Sequence, residues 1–141
     1  MDIRELQEKC WKTAEIKGFH DDRPLRRQYD TREQFQKALA NWQGNKLLLV
    51  VSEIVEAHDE LRSGHAADET YHPTAPESPH QRLYAEGTGA RYKPEGVPSE
   101  LADAVIRILD FCGTEGINLQ SIIEEKLAYN ATRERLHGRA F

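Results

Sequence analysis

Two short stretches of this sequence place acidic residues three positions apart inside apolar runs. The first, SEIVE, carries Glu53 and Glu56, and the second, ELAD, carries Glu100 and Asp103. On a helix, residues three apart lie on the same side, so two such helices packed antiparallel bring four carboxylates together. Carboxylates that converge need cations, and oxygen ligands without His or Cys select a hard ion. The four residues are therefore predicted ligands of Mg²⁺, with Mn²⁺ as a substitute.

The acidic residues next to these pairs leave alternatives open. Glu60 lies one turn beyond Glu56 on the same helical stripe. It is either a ligand of a second metal or of water, or the solvated end of the helix. The first pair alone is also consistent with a solvated face, and in the second stretch Arg107 can pair with Asp103 or Asp110 for a few tenths of a kcal/mol. The recurrence of the spacing on a second helix favours the metal site.

The apolar residues recur at helical spacing, which predicts an all-α fold of about five helices. Gly18, Gly44 and Gly116 are predicted to end helices, and Thr31 with Gln34 forms a capping-box signature. Asn45 and Asn118 are further predicted N-caps. The predicted helices are residues 2–17, 31–43, 45–63, 98–116 and 118–135.

The segment from about residue 64 to 98 differs in composition, because it holds five of the six prolines of the chain. Such a stretch is no helix, and within a compact domain it is a functional loop, a small hairpin or a disordered insertion. The whole chain of 141 residues is predicted to be a single domain with this insertion.

Composition restricts the class of partner. The net charge of −5 and the pI near 5.7 argue against binding to a nucleic-acid backbone. We find no signal peptide and no run that could span a membrane, and two cysteines are too few for a disulfide framework, so a cytoplasmic location is expected. The charged fraction of 30% is high for a well-buried monomer. A helical bundle whose four-helix core is completed by homodimerisation suits this balance.

The last predicted helix carries groups that suit a phosphate. Its face begins with apolar residues and continues with Lys126, Asn130 and Arg133. Taken alone, the two cations are ordinary charges favoured by a helix C-terminus. Beside a metal site, they are candidate ligands of phosphate oxygens. The Arg133 guanidinium would donate two parallel hydrogen bonds, and the Lys126 ammonium would act as a point charge.

With these residues in place, the sequence resembles the MazG-like branch of the all-α nucleoside triphosphate pyrophosphohydrolases. That family carries E-x-x-E on one helix and E-x-x-D on another. The flanking stretches are also similar, in this order, to those of small phage and bacterial members: SEIVEAHDELRSG, KPEGVPSELADAVIRILD and EKLAYNATRERLHG. The resemblance covers about residues 45–65 and 93–138.

The resemblance implies a helical bundle that forms a homodimer or a dimer of dimers. It implies Mg²⁺-dependent conversion of a (d)NTP and water into a (d)NMP and pyrophosphate, in nucleotide-pool control or house-cleaning. By position, the four acids would hold Mg²⁺, Glu53 or Glu56 would take the proton of the attacking water, and the triphosphate ligands would be Lys126, Asn130 and Arg133.

The base is the least determined part of the substrate. His20 and Trp42 are candidate base-binding residues, although core packing explains Trp42 equally well. Alarmones and modified nucleotides remain alternative substrates. A non-catalytic helical oligomeric interaction module, whose acids form surface ion pairs, is the alternative to an enzyme.

Overall fold

The computed structural model describes residues 2–74, 78–80, 87 and 91–139. The all-α prediction is confirmed, since the chain is helical and the described residues hold no strand beyond one isolated bridge. Every helix among these residues is too short or too polar to span a membrane. The helices with described ends are α1 (Ile3–Ile16), α2 (Arg32–Arg62), α3 (Val97–Thr114) and α4 (Leu119–Ala131), with 3-10 turns at Arg26–Gln28 and Arg135–Gly138. Residues 79, 80 and 87 are also helical, contrary to the prediction that the segment from about 64 to 98 is no helix.

The chain divides into two compact units. The first unit comprises Met1–Gln43 and Ile106–Phe141, and the second comprises Gly44–Val105. The boundaries fall within α2 and α3, so each of these helices contributes to both units. The prediction of a single domain stays a prediction.

The first unit shows why its helices begin and end where they do. The Asp2 side chain accepts from the Glu5 backbone N–H at 2.9 Å, and the Glu5 side chain accepts from the Asp2 N–H at 3.1 Å. This reciprocal capping box starts α1, and Gly18, with φ +81°, follows its end as predicted. Asn118 is confirmed as the cap of α4, because its side chain accepts from the Ser121 N–H at 3.2 Å.

Two helices predicted on either side of Gly44 are one helix, α2, of 31 residues. Its start is as predicted, because Thr31 and Gln34 exchange side-chain to backbone hydrogen bonds of 3.1 Å. The predicted break at Gly44 is wrong, and Asn45 lies inside the helix instead of capping one. A glycine inside a helix costs only about 1 kcal/mol relative to alanine, which the packing of a long helix easily offsets. The two helices predicted for residues 31–43 and 45–63 are thus a single helix.

The last helix is shorter than predicted. It ends at Ala131, and the Thr132 hydroxyl donates to the Tyr129 carbonyl at 2.7 Å. A threonine hydroxyl bound to a carbonyl of the final turn competes with helix propagation, which explains the early end. Arg133, predicted to lie on this helix, therefore follows it.

In the second unit, the described part of the chain between α2 and α3 contains a backbone bridge. Tyr71 and Glu95 exchange backbone hydrogen bonds of 3.1 and 2.9 Å. Gly96 follows with φ +107°, and a Cβ at this position would lie 2.3 Å from the Glu69 carbonyl oxygen. The start of α3 therefore requires glycine here. Residues 75–77, 81–86 and 88–90 of the predicted loop lie outside the described residues.

The continuity of α2 predicts that Gly44→Ala stabilises the protein by about 0.5–1 kcal/mol, because alanine is the better helix former. A Cβ at this position meets nothing within 4 Å, so no clash opposes the gain. Thermal denaturation should show a melting temperature raised by a few degrees. A lowered melting temperature would contradict a continuous helix and support the predicted break.

The matched control is Gly96→Ala. It should lower the free energy of unfolding by more than about 1 kcal/mol, because its positive φ and close approach to Glu69 exclude a side chain.

Candidate metal centre

Three of the four predicted metal ligands come together in the second unit. Glu53, Glu100 and Asp103 each offer a carboxylate oxygen, and these oxygens lie within 4.8 Å of one another. Glu53 comes from α2, and Glu100 and Asp103 come from the first two turns of α3. Glu53 and Glu100 are each only 5% exposed, and Asp103 is half-buried. We call these three residues the acidic triad.

Glu56, the fourth predicted ligand, lies on α2 one turn beyond Glu53 and is exposed. It does not belong to the group of three oxygens, yet its negative charge helps to raise the pKa of Glu100. Glu56 is therefore near the triad, with its side chain on the solvent side.

The pKa of Glu100 is raised above the ordinary value of a glutamate. Burial is the main cause, followed by the charges of Glu56 and Asp103 and by a hydrogen bond with Glu53. Glu100 therefore favours its protonated form more than an ordinary glutamate does.

The triad fits a divalent ion of the magnesium type. All its donors are oxygens, which is the donor set that hard ions prefer. Oxygens bound to Mg²⁺ at about 2.0–2.1 Å are at most about 4.2 Å apart. The triad oxygens lie within 4.8 Å of one another, so small movements of the three side chains would let them bind an ion.

A second group of acids shares Glu100 with the triad. It consists of Glu60, Glu95 and Glu100, whose oxygens also lie within 4.8 Å of one another. Glu60 is not the solvated end of its helix, because its side chain is 18% exposed and accepts from the Tyr71 hydroxyl at 3.2 Å. Sequence reasoning missed Glu95, because the residue lies outside any helix and carries no periodic signal.

Tyr71 and His65 hold Glu60 in place. The two rings stack with centroids 4.5 Å apart, and His65 Nε2 lies 3.7 Å from a Glu60 oxygen. Burial, with the hydrogen bond to Glu60 and the charges nearby, raises the pKa of Tyr71. The phenol therefore keeps its proton and remains a hydrogen-bond donor to Glu60.

The predicted phosphate ligands lie in the first unit and are all exposed. Lys126 Nζ lies 5.6 Å and Arg133 Cζ 5.8 Å from the centre of the Tyr129 ring. The Arg133 backbone N–H donates to the Asn130 carbonyl at 3.1 Å. The turn after α4 thus gathers both cations around one aromatic ring.

The two candidate base-binding residues make polar contacts within the first unit. His20 Nε2 lies 2.8 Å from Asp110 Oδ1 and 3.2 Å from Thr114 Oγ1. Trp42 is 8% exposed, and its indole N–H donates to Asp22 at 2.9 Å. These contacts give both residues a structural role, and base binding stays a prediction.

Comparisons of this chain with protein-family models, curated proteins and solved structures give no match. The MazG-like resemblance therefore rests on the sequence motifs alone, and the site on its own geometry.

The raised pKa of Glu100 predicts that Glu100→Gln stabilises the metal-free protein at neutral pH. Because the folded-state pKa exceeds the unfolded one, ionisation of Glu100 costs stability as pH rises above the ordinary glutamate pKa. Below the ordinary glutamate pKa, Glu100 is protonated in both the folded and the unfolded state, so its ionisation no longer lowers the stability. With chelator present, the variant should melt a few degrees above wild type at pH 7.5 and level with it in acid. A variant that melts lower at pH 7.5 would contradict this account.

Glu8→Gln is the matched control, because the hydrogen bond and charge of Lys12 lower the pKa of Glu8. The pKa shift of Glu8 is opposite in sign to that of Glu100, so Glu8→Gln should not raise the melting temperature at neutral pH. Any loss should be small, since the pair is exposed.

Proposed function

We propose that this chain is a Mg²⁺-dependent nucleoside triphosphate pyrophosphohydrolase, which converts a (d)NTP and water into a (d)NMP and pyrophosphate. The observation that carries the proposal is the burial of Glu53 and Glu100 beside each other and beside Asp103. An interaction module with surface ion pairs would keep its acids in water, where such pairs form at little cost. Buried carboxylates within 4.8 Å of one another are instead what a divalent ion needs.

Each acidic residue of the site has its own role in the proposed reaction. In this proposal Glu53, Glu100 and Asp103 hold the ion, which, when bound, neutralises charge on the phosphoryl group and makes water more acidic. Water attacks the α-phosphorus, the bond from that phosphorus to the bridging oxygen breaks, and pyrophosphate leaves. Glu56 is the preferred acceptor of the water's proton, because it lies near the triad and outside it. Glu53 is the second candidate.

The remaining substrate contacts are assigned by sequence position. Lys126, Asn130 and Arg133 are the proposed ligands of the triphosphate, supported by the gathering of both cations around Tyr129. Clearance of surplus or non-canonical nucleotides is the proposed biological role.

A homodimer, or a dimer of dimers, is the proposed assembly. Several large apolar side chains on one stretch of α2 are half exposed or more in the single chain, which is unusual for a soluble monomer. They include Leu47 at 50%, Leu48 at 64%, Val51 at 55% and Val55 at 52%. A second copy of the chain would remove this apolar surface from water. Sedimentation of the purified protein measures the assembly directly.

A substrate screen tests the activity. Purified protein with Mg²⁺ should release pyrophosphate from at least one NTP, dNTP, modified nucleotide or alarmone, and chelation of the metal should abolish release. Absence of release from every substrate, together with a melting temperature that Mg²⁺ leaves unchanged, would reject the enzyme and favour the interaction module.

Asp103→Ala and Glu56→Ala test the roles of the acids. Each should lower kcat by more than about 100-fold, because one removes a metal ligand and the other the proton acceptor. Both should remain folded, since removing one clustered carboxylate relieves repulsion. Asp59→Ala is the control, because Asp59 lies on the same helix, is 58% exposed and pairs with Arg62. Unfolding of the first two variants would instead indicate structural ion pairs.

A further inference from the structure

Lys93 lies at the edge of the acidic residues of the second unit. Its ammonium Nζ is 2.8 Å from Glu95 Oε1, and Glu95 belongs to the group that includes Glu60 and Glu100. The Lys93 side chain is 68% exposed, whereas that of Glu95 is 23% exposed. The cation therefore approaches the acids from the solvent side.

Both acidic groups act on this ammonium. Glu95 has the largest effect on the pKa of Lys93 and raises it, and the charges of Glu100 and Asp103 raise it further. Glu100 is shared by the two groups, and Asp103 belongs to the triad. Lys93 thus supplies positive charge to the carboxylates that are proposed to hold the metal.

The backbone around Lys93 is fixed while its side chain reaches into water. Glu95 is held by its two hydrogen bonds to Tyr71, and the Pro94 carbonyl accepts from the Ser99 hydroxyl at 2.9 Å. The stem of Lys93 therefore starts from a defined point, and its four-carbon chain lets the ammonium move by several ångströms.

We propose that Lys93 is a tethered counter-cation of this site, which the divalent ion displaces and which then binds the phosphate oxygens of the substrate. The inference rests on the proposed metal-dependent hydrolysis and deepens it. A divalent ion held by the triad repels the nearby ammonium, because both are positive and both are attracted by Glu100 and Asp103. A polyphosphate that approaches the ion offers the displaced ammonium a new anion within reach of its stem. Lys93 thereby opposes metal binding alone and favours metal binding together with phosphate.

Lys93→Met tests this exchange, because methionine keeps much of the stem and removes the charge. Titration with Mn²⁺ followed by electron paramagnetic resonance, without nucleotide, should show binding at least about threefold tighter than in wild type, since a competing positive charge is gone. Titration of pyrophosphate into the Mn²⁺-saturated protein should show binding about tenfold weaker, since a charged hydrogen bond is lost. Lys12→Met is the matched control, because Lys12 is similarly exposed and pairs with Glu8 in the first unit.

Two failures are distinguishable. If wild-type protein binds Mn²⁺ and either affinity of Lys93→Met equals that of wild type, the role of Lys93 is wrong while the metal site stands. If neither the wild-type protein nor Lys93→Met binds Mn²⁺, with or without pyrophosphate, the proposed function is itself wrong, and the role of Lys93 falls with it. An unchanged circular dichroism spectrum and melting curve for Lys93→Met would show that the affinities compare folded proteins.

Discussion

Repulsion between buried carboxylates is the constraint on which the second unit depends. Glu53 and Glu100 are almost fully removed from water and lie beside each other and Asp103. Burying one ionised carboxylate is costly, and placing a second beside it adds to the cost. Two means of compensation exist, a proton or a cation. The raised pKa of Glu100 favours the first in the metal-free chain, and the proposed activity uses the second.

The local structure makes this arrangement tolerable. Glu100 lies in the first turn of α3, where the positive end of the helix dipole favours a negative charge. Gly96, with its positive φ, and the bridge between Tyr71 and Glu95 fix the chain just before that turn. The same bridge places Lys93 at the edge of the site. The connection between α2 and α3 is thus part of the site as well as a link between helices.

Helical spacing made the central part of this site predictable. Residues three apart on an apolar helix share a face whatever the tertiary context, so the approach of Glu53 to Glu100 and Asp103 could be expected from sequence. Glu95 and Lys93 could not be found in this way, because a proline-rich connection has no period and its path depends on a backbone bridge.

The helix bounds were harder to predict than the site. The break predicted at Gly44 was wrong because glycine lowers helix stability without forbidding a helix. Thr132 ended α4 through a side-chain hydrogen bond that a periodicity argument does not contain.

The central claim is that Glu53, Glu100 and Asp103 together bind one divalent ion. The most direct measurement is anomalous X-ray scattering from crystals of the wild-type protein grown with Mn²⁺. We predict one anomalous peak within about 2.0–2.6 Å of carboxylate oxygens from all three residues, the range of oxygen ligands of hard ions. The peak should be absent from crystals of Asp103→Ala grown alongside. No peak among these residues in the wild-type protein, with the three carboxylates still in contact, would contradict the account.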